Sequence, residues 1–405
     1  MHDPQDKRGI EELISDHRPG FALEQRFYTD PEIYARELER VINRNWFVAG
    51  HVSELPEPGD FKRFDAGLES AIIVRGDDGE LRALANVCRH RGSRVCLEGN
   101  GSGREFACPY HGWIYGLDGS LKAARDMPDG FDAAEYGLKA VSFGVIHGLM
   151  LVCFSDDPPD LLNCRTDLAR PMAMFGFDTL KVAAREVYEI PANWKLAIEN
   201  YQECYHCATA HPEYAQLHTL MLDRKKRPRV QSHMRERMQG CGIEDFEIDF
   251  IDTAARDGEI GYGYRRMALF KGYDTGSRDG KPVAPLLGEL KDYDGGASDL
   301  SFGPFSFLLA YSDHVVCYVF TPVDHTNSRC EITWLVRGDA EEGSDYDLDA
   351  LTWLWDVTTE ADKKIIVNNY EGVRSRYYQP GPFAGMEHAE QAWVEWLLAE
   401  LKRPL

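Results

Sequence analysis

The chain of 405 residues is expected to fold as an α+β protein, a small antiparallel β domain followed by a larger domain of sheet and helix. Three observations lead there. Short strand-like runs with Gly and Asp turns fill the stretch from about 46 to 155. A polar, proline-containing break, Asp156-Asp157-Pro158-Pro159-Asp160, comes next. Beyond it, segments of helical periodicity alternate with apolar runs.

Each element has its own warrant. Residues near 8–45 read as helical, and Pro31–Ile42 carries apolar residues at helical spacing after Asp30, a candidate cap. Phe61–Phe64, Ser70–Arg75 and Leu81–Val87 read as strands between turns at Gly59-Asp60, Gly67 and Asp77-Asp78-Gly79. Leu138–Phe143 and Leu149–Phe154 close the β domain. After the break come a strand at Lys181–Ile190, a helix at Trp194–Ala210, and loops over 222–300. Strands at Phe305–Tyr311, Val315–Pro322 and Cys330–Val336 precede helices at Asp347–Tyr370 and His388–Leu401. The expected units are an N-terminal helical segment (1–45), the β domain (46–155) and a second domain (156–405) on which the first segment packs.

The net charge of -22 argues against nucleic acid and anionic membranes as partners. With 43% apolar and 11% aromatic residues and a mean hydropathy of -0.42, the chain reads as a globular protein without a membrane span. The opening Met1-His2-Asp3-Pro4-Gln5-Asp6 is too polar for a signal peptide. Ten cysteines without an export signal fit a reducing cytoplasm. Gly99-Asn100-Gly101-Ser102-Gly103 reads as a flexible loop, and no GxGxxG stands between a strand and a helix.

Two ligand loops carry the first chemistry. Cys88-Arg89-His90 is followed, seventeen residues later, by Cys108-Pro109-Tyr110-His111. Zinc fingers keep both cysteines in one loop and both histidines in another. Here each loop offers one of each, as a Rieske 2Fe–2S cluster requires, with thiolates on one iron and imidazoles on the other. Replacing two thiolates with neutral nitrogens raises the potential, which suits delivery of single electrons to an oxygen-activating metal.

A second constellation lies in Asn193–Pro212. Glu203 precedes His206 by three residues, and His211 follows by five. Two histidines and a carboxylate on one face of Fe(II) leave the other positions open for oxygen and substrate. Residues five apart lie about 140° apart around a regular helix, so a bend near Ala210-His211-Pro212 must bring the two rings together. Cys204 and Cys207 form a CxxC, but no second one follows.

Together, CxH…CxxH and Asn-Trp-Lys…Glu-Asn…Glu-x-x-His-x4-His resemble the catalytic α subunit of Rieske non-haem iron oxygenases over nearly the whole chain. Glu203-Cys204-Tyr205-His206-Cys207, His211-Pro212-Glu213, Val373–Tyr377 and Pro380-Gly381-Pro382 look like the branch acting on quaternary ammonium compounds. The resemblance implies a Rieske domain docked on a helix-grip catalytic domain with a large antiparallel sheet. It implies a homotrimer in which a carboxylate, here Glu203, bridges one subunit's cluster and the neighbour's iron. It implies a third iron ligand on a C-terminal helix. Asp362 fits best, with Glu360 and Asp356 as competitors.

The implied reaction is an O2-dependent monooxygenation that N-demethylates a betaine-like compound and releases formaldehyde. Electrons come from NAD(P)H through a separate flavin/iron–sulfur reductase. The alternatives on the same iron centres are hydroxylation or O-demethylation of an aromatic acid and carnitine-type C–N cleavage. A pure electron carrier would lack the second metal motif. A quaternary ammonium has no N–H and is best held by aromatic faces, so Tyr201, Tyr205, Tyr214, Tyr377 and Tyr378 are candidates. Arg374 or Arg376 would take a substrate carboxylate, and Asn200 is a further catalytic candidate. Pocket residues are expected to be scattered over 222–320.

Overall fold

The computed structural model describes residues 8–222, 225–245 and 260–403. Its first segment forms α1 (Ile10–Asp16), α2 (Gln25–Thr29) and α3 (Pro31–Glu37), which runs into a wide turn at Leu38–Ile42. Asp30 accepts the Glu32 N–H at 2.9 Å, and Pro31 takes the first helical position, where its missing N–H costs nothing. Glu37 is fully buried. It accepts from Lys195 Nζ at 2.7 and 2.8 Å and from Trp194 Nε1 at 2.9 Å, which ties this segment to the second half of the chain.

The first sheet uses β1 (Phe47–His51), β2 (Asp60–Ala66), β3 (Glu69–Arg75), β4 (Leu81–Ala85) and β5 (Asn100–Ser102). β6 (Glu105–Ala107), β7 (Ile114–Gly116) and β8 (Leu121–Ala123) make a separate three-stranded sheet. β9 (Ala140–Ile146) and β10 (Leu149–Cys153) complete the seven-stranded antiparallel order β1-β10-β9-β4-β3-β2-β5. The glycine-rich loop expected at Gly99–Gly103 is instead the edge strand β5, paired with β2 at Phe61↔Gly101. The Phe61 ring fills the space a side chain at Gly101 would need.

After α4 (Leu162–Met174) a second antiparallel sheet runs β11-β16-β15-β14-β13-β12. Its strands are β11 (Leu180–Ile190), β12 (Tyr262–Ala268), β13 (Gly296–Phe302), β14 (Ser306–Ala310), β15 (Val315–Pro322) and β16 (Ser328–Arg337). α5 (Trp194–Gln202), capped by Asn193, packs on β15, β16 and the long α9 (Leu348–Val373). α6 (Cys207–Ala210), α7 (Pro212–Ala215), α8 (Arg227–Cys241) and α10 (His388–Lys402) complete the helices named here.

The interval 222–300, expected to be loops, therefore holds a helix and two strands, while 246–259 lies outside the described residues. The physical reason is that Tyr-Gly-Tyr-Arg-Arg-Met-Ala and Gly-Ala-Ser-Asp-Leu-Ser-Phe contain no β-branched residue. Pairing of β12 with β13 and of β13 with β14 holds them extended, where propensity alone gave a weak signal. The single helix expected at Trp194–Ala210 breaks after Gln202, because Glu203 is extended (φ -127°, ψ 164°).

The two sheets are joined by Phe47 stacked on Phe305 at 4.4 Å and by the Val48 N–H donated to Ser306 Oγ at 2.9 Å. None of the ten cysteines is disulfide-bonded. Among the described residues no helix is long and apolar enough to cross a membrane.

Candidate metal centres and cavity

Cys88 and His90 stand in the loop between β4 and β5, and Cys108 and His111 in the loop between β6 and β7. The two loops fold alike. Gly92 N–H donates to the Cys88 carbonyl and Gly112 N–H to the Cys108 carbonyl, each at 3.0 Å. Both glycines have positive φ, 78° and 70°, a conformation that a Cβ disfavours. The two thiols are buried, and the imidazoles stand at the rim with their ring centres 4.6 Å apart. His90 stacks on buried Trp113 at 4.9 Å. The Tyr115 hydroxyl accepts the Arg89 N–H at 3.0 Å, which leaves its own proton for Cys88 Sγ at 3.3 Å. One buried thiol and one less buried imidazole per loop fit a cluster with unlike irons.

The second centre grows from two breaks in the helical path. The extended Glu203 ends α5, and His211 (φ -141°, ψ 77°) separates α6 from α7, where Pro212 opens the next turn. His206 Nε2 and His211 Nε2 come within 3.1 Å. Asp362 Oδ1, from α9, lies 3.2 Å from the first and 2.9 Å from the second. Metal–donor bonds of about 2.1 Å meeting at right angles separate donors by about 3.0 Å. The three atoms thus match one face of an octahedral ion. Asp362 Oδ1 is buried without hydrogen-bond geometry to any described partner, as a metal donor would be.

Charge points the same way. Burial acts to lower His206, but the Asp362 and Glu203 carboxylates outweigh it and push the imidazole up to about 10. Burial likewise opposes ionisation of Asp362, but both imidazoles hold its carboxyl below the ordinary range. The site therefore demands positive charge, whether protons or a metal. Glu203 Oε1 takes His206 Nδ1 at 2.5 Å, which fixes the ring with Nε2 inward. Its Oε2 accepts the backbone N–H groups of Tyr205 and His206.

Cys207 also approaches, with Sγ 3.9 Å from His206 Nε2. The neighbouring Cys204 thiol and burial raise its pKa, so it offers a neutral thiol where Asp362 offers an anion. The competing acids are engaged elsewhere. Asp356 accepts the Tyr188 hydroxyl at 2.7 Å, and Glu360 pairs with Lys363.

A cavity of about 650 Å³ opens beside this centre. Asn200, Tyr201 and Tyr214 line it. Asn200 Nδ2 lies 3.4 Å from His206 Nε2, and Tyr201 stacks on Phe307 at 4.5 Å. On the sheet side, Arg265 and Met267 of β12, Asp299 and Ser301 of β13, and Phe307 and Leu309 of β14 alternate into it. On α9, Trp355, Thr358 and Asp362 share the facing stripe at helical spacing. The lining residues Arg227, Arg265, Met267, Asp299, Ser301, Phe307, Leu309 and Tyr318 all fall within 222–320.

Several candidate substrate contacts lie elsewhere. Tyr205 and Tyr377 do not line the cavity and are 61% and 77% exposed. Arg374 sits over the Tyr370 ring, and Arg376 over Tyr377. The Tyr378 hydroxyl donates to the Leu23 carbonyl at 2.9 Å. The reason is local: the segment after α9 clasps the N-terminal segment. Gln25 Nε2 donates to the Val373 and Ser375 carbonyls, and Ala22 N–H donates to Gly381 O. Asp299, Arg265 and Trp355 line the cavity but were not singled out from sequence. The only available signal was their period-two or helical spacing.

Comparison with known proteins accords with both centres. Residues 45–140 match the family model for the Rieske [2Fe-2S] domain, and residues 177–402 match the ring hydroxylating alpha subunit (catalytic domain). The glycine betaine monooxygenase oxygenase subunit of Pseudomonas aeruginosa is 32% identical over 381 residues, 93% of this chain and 88% of that one. Its counterpart from Chromohalobacter salexigens is 34% identical over 389 residues, 95% of this chain and 87% of that one. In fold, the chain is similar to the quaternary ammonium Rieske monooxygenase CntA in complex with an inhibitor. The TM-score is 0.73 at 23% identity, covering 97% of this chain and 98% of that one.

Proposed function

The chain belongs to the ring-hydroxylating α subunits of the Rieske non-haem iron oxygenases, and on that premise we propose that it N-demethylates a betaine-like quaternary ammonium compound. The carrying observation is the aromatic cavity beside the His206–His211–Asp362 centre, walled by Tyr201, Tyr214, Phe307, Tyr318 and Trp355. Aromatic faces attract a cation that has no N–H to donate, at about 0.5–2 kcal/mol per contact.

In this reading Cys88, His90, Cys108 and His111 hold the 2Fe–2S cluster, and His206, His211 and Asp362 hold Fe(II). When bound, the iron supplies dioxygen activation with electrons that arrive through the cluster. Glu203 keeps Nε2 of His206 directed at Asp362, and Asn200 abuts the same ring. The aromatic walls hold the ammonium and exclude water. Hydroxylation of one N-methyl group gives a carbinol, whose C–N bond breaks to release formaldehyde and an amine one methyl shorter. Dioxygen, two electrons and two protons account for the inserted oxygen and one water.

The electrons come from outside the cavity. Among the described residues no member of the cluster loops lines it, while Tyr110, beside the cluster histidines, is 55% exposed. A homotrimer in which one subunit's cluster rim meets the next subunit's Glu203 turn, where Tyr205 is exposed, accounts for both surfaces. A separate flavin/iron–sulfur reductase using NAD(P)H would charge the cluster.

The test is formaldehyde release by purified, iron-loaded protein with such a reductase, NADH and oxygen. The panel is glycine betaine, proline betaine, carnitine, choline and methoxybenzoate. Formaldehyde in step with oxygen uptake from a betaine supports the reading. Formaldehyde from methoxybenzoate alone makes the protein an aromatic O-demethylase.

A further inference from the structure

Two imidazoles face the candidate metal centre, and only one of them is tethered at its far nitrogen. His206 is set by the Glu203 carboxylate at Nδ1. His211 Nδ1 is buried with no hydrogen-bond partner among the described residues. A histidine that holds a metal almost always donates its second ring N–H to a carboxylate, a carbonyl or water, which fixes the plane of the ring. In His211 the protein supplies that constraint by ring contact instead.

Tyr214, three residues on, meets the His211 ring edge to face, with ring centres 5.5 Å apart at 86°. Behind Tyr214 lies His218, stacked on it at 3.8 Å and 16°. His218 is buried and is not among the residues that line the cavity. Both of its ring nitrogens are engaged. Nδ1 faces the Tyr214 carbonyl at 2.9 Å, and a carbonyl only accepts, so Nδ1 carries the proton. Nε2 is then the acceptor, and the Tyr311 hydroxyl donates to it at 2.6 Å. Burial pushes this imidazole down to about 4, against the Tyr214 carbonyl, so it is uncharged at neutral pH. The surroundings are anchored in turn. His218 bridges to Leu269 just beyond β12, and Thr219 Oγ1 donates to the Ala268 carbonyl at 2.6 Å. Tyr311 follows β14 and stacks on His314 at 4.9 Å, whose Nδ1 lies 2.8 Å from Asp313 Oδ1. A Cβ at Gly276 would stand 2.5 Å from the Tyr311 ring, so glycine there makes room for it.

We propose that His218 is a positioning residue that sets the plane of the His211 ring through Tyr214, the part that Glu203 plays for His206. This rests on reading His206, His211 and Asp362 as iron ligands and goes beyond it, since it assigns a role to a side chain that touches neither metal nor cavity. The contacts run in one line: the Tyr311 hydroxyl and the Tyr214 carbonyl lock the His218 ring, the His218 ring holds Tyr214 flat, and Tyr214 braces the untethered ligand.

The experiment has two readouts on the full-length protein with its cluster absorption intact. One is Fe(II) affinity by competition with a chelator. The other is the electron paramagnetic resonance of the nitric oxide adduct of the mononuclear iron, whose rhombicity reports the ligand geometry. His218→Asn keeps a donor for the Tyr214 carbonyl but removes the ring. It should weaken Fe(II) at least about tenfold and shift the rhombicity. His218→Phe combined with Tyr311→Phe restores a ring and leaves the Tyr214 carbonyl to the backbone N–H groups of Leu217 and His218. It should return both readouts to the parental values. Tyr214→Leu removes the intervening ring without touching the buried histidine, and should reproduce the loss even where His218→Asn fails to fold. A lowered unfolding temperature with parental affinity and signal in the Asn and Leu variants would show a merely structural role and overturn the inference. A double variant no better than His218→Asn overturns it as well, and both results leave the iron centre as assigned. A parental protein that takes up no mononuclear iron removes that centre, and the inference falls with it.

Discussion

The Asp362 carboxylate reaches His211 Nε2 at 2.9 Å from a helix far along the chain. Helix α9 packs against α6 and α7, so the third member of the proposed facial set arrives from a different element than the two histidines. The three atoms meet only where α9 packs on α6 and α7.

Removing that donor should therefore cost the mononuclear metal alone. Asp362→Ala is expected to bind about two irons per chain where the parent binds about three. Its cluster absorption should be unchanged and its turnover lost, since loss of a ligand or its support commonly costs at least 10–100-fold. Metal analysis beside the visible spectrum checks this. Retention of the third iron with full turnover would remove Asp362 from the ligand set.

Tyr115 should tune the cluster. Its hydroxyl proton is aimed at Cys88 Sγ, and hydrogen bonds to cluster sulfurs stabilise the reduced, more negative state. Tyr115→Phe is expected to lower the reduction potential, as measured in a redox titration followed by electron paramagnetic resonance. An unchanged potential would mean that the hydroxyl serves only the Arg89 N–H.

His206 and His211 stand in one continuous stretch with Glu203; the pair pointed to a metal only once the cluster motif stood upstream of it, and its spacing required a kink before Pro212. The cluster loops were legible because each pairs its thiol and imidazole within four residues. Asp362 needed the family resemblance, since no local pattern separates it from Glu360 or Asp356; only the direction of α9 does. Tyr377 and Arg374 attracted notice by side-chain chemistry, but the clasp on the N-terminal segment turns them outward. Arg265 and Asp299 escaped notice because the cavity-facing positions of β12 and β13 mix charged, polar and apolar residues and so lose the apolar alternation that would announce a strand.

The electron route makes a prediction at Glu203. Glu203→Gln can still accept a hydrogen bond from His206 Nδ1 but no longer carries charge beside it. If Glu203 couples the two centres, the variant should keep both metals, and its chemically reduced cluster should reoxidise more slowly on exposure to oxygen and substrate. Stopped-flow absorbance reads this directly, and reoxidation at the parent rate would confine Glu203 to orienting the ring.

The buried Glu37–Lys195 pair should dominate the stability of the N-terminal attachment. Both groups are sealed from solvent, so removing one strands the other. Breaking such a pair costs about 3–5 kcal/mol. Glu37→Ala is expected to lower the unfolding temperature sharply, while Glu37→Leu with Lys195→Met recovers most of the loss. Equal losses in the single and double variants would show that packing, not the stranded charge, carries the cost.

Two further buried acids set a pH trend of the opposite sign to ordinary salt bridges. Burial raises Glu199 to about 7, against the Tyr28 hydroxyl that donates to it at 3.0 Å, and raises Glu390 to about 10 with Glu199 adding to the effect. An acid whose pKa is raised on folding holds a proton in the folded state that the unfolded chain has released. Stability is therefore full below the unfolded value near 4.5 and declines as pH climbs through each folded value. Glu390→Gln keeps the shape without the ionisation. It should raise the unfolding temperature at pH 9 and leave it nearly unchanged at pH 5. The slope between those points is the discriminating quantity: if it matches the parent's, Glu390 does not carry the proton that these surroundings impose.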